Sequence, residues 1–153
     1  MKLRFAALSD VGRVRRDNQD SGYAGPHLLV VADGVGGAAR GDVASSTAIE
    51  QLRQLDQPTQ ETDPAIALRA ALTQAHDRIG ALVAEDPSLE GTSTTLSAGL
   101  VSGDTLHVAH IGDSRGYLLR DGEMQQLTSD HSFVQSLVDE GRITEEEARV
   151  HPN

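Results

Sequence analysis

The 153-residue chain contains no cysteine. Disulfides, thiolate zinc sites and a cysteine nucleophile are therefore excluded. Aromatic residues make up only 3%, so a core must be built from Leu, Val, Ile and Ala. No run approaches the roughly 18 apolar residues of a membrane span. The opening Met1-Lys2-Leu3-Arg4-Phe5 lacks the apolar stretch of a signal peptide. A cytoplasmic location is the expectation. Positive charge is also scarce: 13 Lys and Arg face 23 Asp and Glu, a formal net charge of -10. That speaks against nucleic acid or an anionic membrane as the main partner, since both require a basic face. A phosphorylated substrate stays open, because bound cations reverse the local field.

What is present suits a single globular domain. Charged residues at 24% and hydrophobic ones at 38% are the balance of a folded chain, and the length supports a core. Residues 2–9 alternate as a strand does. Strands are expected near 21–24 and at 28–33, a helix over 38–55, and a polar loop over 56–63. Asp63-Pro64 reads as N-cap and first residue of a helix reaching about Glu85, where Asp86-Pro87 stops it. Strand pattern returns over 92–100 and 106–111. A hairpin spans 117–127, with Asp121-Gly122 as its tight turn. Residues 131–140 look helical, and Thr144-Glu145-Glu146-Glu147 opens a last helix with a capping box. Strands, two helices and strands again make an α+β chain of stacked layers, not alternating βα units. No internal repeat is visible.

The chemistry centres on Leu28-Leu29-Val30-Val31-Ala32-Asp33-Gly34-Val35-Gly36-Gly37. An apolar run surfaces at an acid followed by glycines. Taken alone, Asp33-Gly34 is a turn, because Asp favours turns. The pattern recurs, however, at His110-Ile111-Gly112-Asp113, and the loop 15–20, just before the strand that leads to Asp33, supplies Arg15, Asn18 and Asp20. Two acids leaving core strands can converge at one end of a layered sheet. Oxygen donors without cysteine or clustered histidine favour Mg²⁺ or Mn²⁺ over Zn²⁺. An arginine beside such a site suits phosphate, whose oxygens meet a guanidinium in a fork. His107 and His110 are expected on one side of their strand, without a third ligand, and so as core-edge or surface residues. A nucleotide loop at 34–37 lacks both the Lys-Ser/Thr of a P-loop and the spacing of a dinucleotide fingerprint.

Four segments, in order, resemble the metal-dependent protein phosphatases (PPM), the type 2C serine/threonine phosphatases. They are Val14-Arg15-Arg16-Asp17-Asn18-Gln19-Asp20, Val31-Ala32-Asp33-Gly34-Val35-Gly36-Gly37, Gly91-Thr92-Ser93-Thr94-Thr95-Leu96 and Val108-Ala109-His110-Ile111-Gly112-Asp113-Ser114-Arg115. The second is similar to the bacterial form of its motif, and Gln19 stands where many members have Glu.

The resemblance implies an α-β-β-α four-layer sandwich and hydrolysis of phosphoserine or phosphothreonine by a metal-activated water. Asp33 would bridge two Mn²⁺ or Mg²⁺ ions, and Gly34 would ligate through its carbonyl. Arg15 would hold the phosphate, and Asp20 would orient water. Asp113 would belong to a third metal site. Phosphorylated proteins, Ser/Thr kinases among them, would be the partners.

The two later aspartates that complete the metal pair in the family have no counterpart here. Residues 1–153 are therefore expected to be the N-terminal portion of one catalytic domain. The sandwich would be partial, its C-terminal strands absent. Little activity of its own is expected, and self-association through unpaired edges. The alternative is a non-catalytic phosphate-binding or regulatory module, similar to a pseudophosphatase. Residue by residue, Asn18 to Asp20 could instead cap a loop, and Asp113 could bond Ser114 or Arg115.

Overall fold

The computed structural model describes residues 3–36, 40–58, 62–131 and 133–148. The chain divides into two compact units, Met1–His110 and Ile111–Asn153.

The first unit is a sheet with helices on one face. Strands β1 (Asp20–Ala24), β2 (Leu28–Val35), β4 (Leu96–Ser102) and β5 (Thr105–Ile111) lie in that order, and the short β3 (Ser93–Thr94) pairs with the end of β2. β2 is antiparallel to both neighbours, with Leu28 opposite Leu100 and Val30 opposite Ala98. Period-two alternation sends Leu28, Val30 and Ala32 to one face, and all three are buried. Leu96, Ala98 and Leu100 of β4 join them. Helix α1 (Gly41–Leu52) covers this face with Ala48 and Leu52, and α2 (Pro64–Glu85) adds Leu68, Ala71 and Ala75. Small alanines let the helices approach closely, as a chain poor in aromatics requires. The opposite face carries Val31, Val35, Leu106 and Val108, each between two-fifths and just over half exposed. One helix layer on one antiparallel sheet is the α+β arrangement, and part of a layered sandwich.

The second unit begins at the end of β5 and holds the hairpin of β6 (Tyr117–Arg120) and β7 (Glu123–Gln126). Asp121 and Gly122 have φ of 54° and 83°, the paired left-handed residues that such a turn demands. Helices α3 (Phe133–Asp139) and α4 (Glu145–Ala148) follow. At α4 the capping box closes in both directions. The Thr144 backbone N–H donates to Glu147 Oε2 at 2.8 Å, and the Glu147 N–H donates to Thr144 Oγ1 at 3.2 Å. The expected N-cap of α2 also forms, Asp63 Oδ1 accepting from the Ala65 and Ile66 amides.

Three expectations fail. Residues 3–9 form no strand. Leu8 is almost fully exposed, so alternation there has neither a sheet edge nor a core to serve. Asp33 is not in a turn: β2 runs on to Val35, and Gly34 and Val35 pair with Thr94 and Ser93. His107 and His110 are three residues apart and so face opposite sides of β5; His110 Nδ1 lies 2.9 Å from Ser97 Oγ. Expectations at Lys2, Gly37–Ala38 and His151–Asn153 fall outside the described residues.

One buried carboxylate ties the first unit together. Asp56, at the end of the single 3-10 turn that follows α1, accepts from the Tyr23 hydroxyl at 2.6 Å and the His27 N–H at 2.9 Å. Its side chain is 7% exposed. Burial raises the carboxyl pKa, but the hydrogen bonds from Tyr23 and His27 outweigh it and hold the group below its usual range. A depressed folded pKa contributes stability that is present above the unfolded value, near about 4, and lost as pH falls through the folded one. Asp56→Asn should therefore cost about 2 kcal/mol at neutral pH, from charged hydrogen bonds lost. Urea denaturation across pH should show the gap to the parent closing below about pH 4.

Candidate active site

The candidate site is built where β1 and β2 run side by side. Asp20 lies directly opposite Asp33 in their antiparallel register. Such partners point to the same face with Cβ atoms roughly 5 Å apart, and like charges so placed repel. Both residues are exposed. With Arg15, Arg16, Asp17, Gln19 and Gly34 they line a cavity of about 550 Å³. Arg15 and Arg16 are exposed and make no hydrogen bond or ion pair among the described residues.

The backbone beneath this cavity is held from three directions. Two hydroxyls from the Gly91–Leu96 segment fix Asp33: its amide donates to Thr95 Oγ1 at 3.0 Å, and its carbonyl accepts from Thr94 Oγ1 at 3.0 Å. The Thr95 amide also donates to the Asp33 carbonyl at 2.9 Å. From α1, the fully buried Ser45 hydroxyl donates to the Gln19 carbonyl at 2.7 Å and contacts Ser21 Oγ at 2.9 Å. In the loop itself, Asn18 Oδ1 accepts from the Asp20 amide at 3.0 Å, and its Nδ2 donates to Ser9 Oγ at 2.7 Å. Asn18 thus takes the loop-capping role. Ser45, Thr94 and Thr95 went unrecognised as supports in the sequence. Their partners lie 26 to 62 residues away, and only the Gly91-Thr92-Ser93-Thr94-Thr95-Leu96 motif marked the threonines.

Glycines allow the close approach. A Cβ on Gly34 would sit 2.2 Å from the Gly41 carbonyl oxygen and 2.6 Å from that of Gln19. One on Gly41 would sit 2.5 Å from the Gly34 carbonyl carbon. The start of α1 therefore presses directly on the strand that carries Asp33.

Asp113 belongs to the second unit, exposed in the loop after β5. Arg115 of this loop does not turn to Asp113. Its guanidinium grips Asp130 in a fork, with Nε and Nη2 at 3.0 and 2.6 Å. The Asp130 hydrogen bond raises the already high arginine pKa. The His131 amide adds a 2.7 Å bond to the Gly112 carbonyl. The loop bearing Asp113 is thus clamped at both ends.

Oxygen-only donors, two of them opposed carboxylates, suit a hard divalent cation, which relieves the repulsion between them. Among the described residues, no three His, Asp or Glu gather as a metal site. Asp20 and Asp33 alone would not complete the donor set of such a cation.

The family model of protein phosphatase 2C matches residues 9–148. The serine/threonine protein phosphatase PstP of Mycobacterium tuberculosis is 55% identical over 150 residues, 98% of this chain and 29% of that protein. The crystal structure of the M. tuberculosis phosphatase PstP/Ppp superimposes with a TM-score of 0.94 at 54% identity, covering 99% of this chain and 65% of that one. A structure of the PstP catalytic domain in complex with two manganese ions gives a TM-score of 0.89 at 54% identity, over 96% and 64% of the two chains. The chain thus spans under a third of the curated relative and just under two thirds of the solved domain. With the match running through all four motifs, the chain belongs to the protein phosphatase 2C family.

Proposed function

We propose that residues 1–153 are the N-terminal portion of one PPM-type catalytic domain that hydrolyses phosphoserine and phosphothreonine in proteins, in the cytoplasm and with Mn²⁺ or Mg²⁺. The observation that carries this reading is the opposed pair Asp20 and Asp33, on one cavity wall with Arg15. Asp33 and the Gly34 carbonyl hold the cations, and Asp20 orients water. Arg15, a fork donor without a competing partner among the described residues, grips phosphate. Bound cations supply a lowered water pKa and neutralise phosphate charge. Asp113 is the candidate for a third metal position. Phosphorylated proteins, including Ser/Thr kinases and their substrates, are the proposed partners. No helix among the described residues is long and apolar enough to cross a membrane.

The short donor set has a direct consequence. Purified as 153 residues, the chain should hydrolyse an aryl phosphate with Mn²⁺ at a negligible rate; turnover at the rate of a full family domain would contradict this. The same shortfall supports a second reading, a regulatory module that binds phosphate without chemistry. Calorimetric Mn²⁺ titration separates the two, because such a module has no need of the metal. The half-exposed Val31, Val35, Leu106 and Val108, with β1 and β5 as sheet edges, support self-association. Light scattering should then give a mass above one chain, and a monodisperse monomer would argue against it.

A further inference from the structure

Residues 13–17 carry three arginines and one aspartate in a chain of net charge -10. This basic island borders two cavities of the first unit. Arg15 lines only the one that holds Asp20 and Asp33. Arg16, the next residue, lines that cavity and a neighbouring one of about 650 Å³. In the second cavity the other cation, Arg40, is engaged: its guanidinium sits 3.0 Å from Asp42 and keeps the Asp42 carboxyl below its ordinary pKa. Arg16 is exposed and has no such partner among the described residues. Asp17 stands on the same boundary and opposes it.

We propose that Arg16 is a specificity-determining residue that receives a second anionic group next to the phosphorylated residue, so that the preferred substrates are phosphopeptides with an acidic or second phosphorylated neighbour. The inference rests on Arg15 holding the phosphate. A ligand whose phosphate lies in the first cavity passes the boundary formed by Arg16, Asn18 and Gln19 as it continues into the second. A carboxylate or phosphate at that point meets a guanidinium free to make a fork. A neutral neighbour meets only a solvated charge.

The test is binding of non-hydrolysable phosphonate peptides to the 153-residue chain with Mn²⁺, read by fluorescence anisotropy. Three peptides share the phosphothreonine mimic and carry neutral flanks, glutamate flanks or a second phosphonate. The glutamate peptide should bind about three- to fivefold tighter than the neutral one, the range of an exposed ion pair. The doubly charged mimic should gain at least as much. Arg16→Ala should remove both preferences, read as the ratio of each charged peptide's affinity to the neutral one's, and Asp17→Asn should enlarge them. Equal binding of all three by the parent, or preferences that survive Arg16→Ala, would overturn the second-anion site. Arg15→Ala should weaken all three alike. If it binds them as the parent does, the phosphate-binding reading fails, and that outcome is separate from the loss or survival of the preference.

Discussion

Gly34→Ala should destabilise the chain by at least about 3 kcal/mol, the upper range of core overpacking. The new methyl would lie 2.2 Å from the Gly41 carbonyl oxygen and 2.6 Å from that of Gln19. Both are main-chain atoms, and both are anchored: Gly41 opens α1, and the Gln19 carbonyl accepts from Ser45 and from the Gly34 amide. Nothing nearby yields as the tip of a flexible side chain would. Relief requires α1 to move off β2, which opens the packing of Leu28 and Val30 against Ala48 and Leu52. Gly41→Ala meets the same contact from the other side. The two substitutions should be non-additive, since either one forces the helix away. Urea denaturation measures both; a cost below about 1 kcal/mol would mean that the helix start is not fixed against the strand.

Asp33→Asn should have the opposite profile. The Asp33 amide donates to Thr95 Oγ1, and its carbonyl accepts from Thr94 Oγ1 and the Thr95 amide; the substitution keeps all three. The side chain is exposed and keeps its shape. The stability cost should be well below that of Gly34→Ala, since no main-chain contact is displaced. Mn²⁺ affinity should fall at least tenfold, roughly the smallest loss seen even for residues that only support a metal ligand. Calorimetry and a thermal melt on the same preparation read both quantities. Equal metal affinity would remove Asp33 from the site, and a large loss of stability would recast it as a structural residue.

These two outcomes also mark how far the sequence could be read. The apolar run at Leu28–Ala32 announced a buried strand, because that follows from local pattern; the acid after it read locally as a turn, and only Arg15 to Asp20 and Gly112-Asp113 beside it made it a candidate site residue. The caps at Asp63 and Thr144 were legible for the same reason: each is a contact across two or three residues. The continuation of β2 through Asp33 to Val35 was not, since it depends on Thr94 and Ser93 arriving from some 60 residues away. Alternation over residues 3–9 misled because period two states which residues would share a face, not whether a neighbouring strand exists to pair with. The pairing of Arg115 with Asp130 was equally hidden: the motif places an arginine beside Asp113, and only the fold brings in Asp130. The opposed register of Asp20 and Asp33 falls between these cases. Both acids stood out, but their face-to-face placement needed the short turn between β1 and β2 to be resolved.

On the proposed function, one cavity wall holds a divalent cation at Asp33 and a phosphate at Arg15. Phosphorus NMR relaxation of a phosphothreonine-mimic peptide, with Mn²⁺ and the 153-residue chain, tests it most directly, because paramagnetic relaxation reports only phosphorus close to the metal. The parent chain should accelerate relaxation beyond what Mn²⁺ and peptide show without protein, and either Asp33→Asn or Arg15→Ala should abolish the gain. Enhancement that survives both substitutions, or none with the parent chain, would contradict a shared metal and phosphate site.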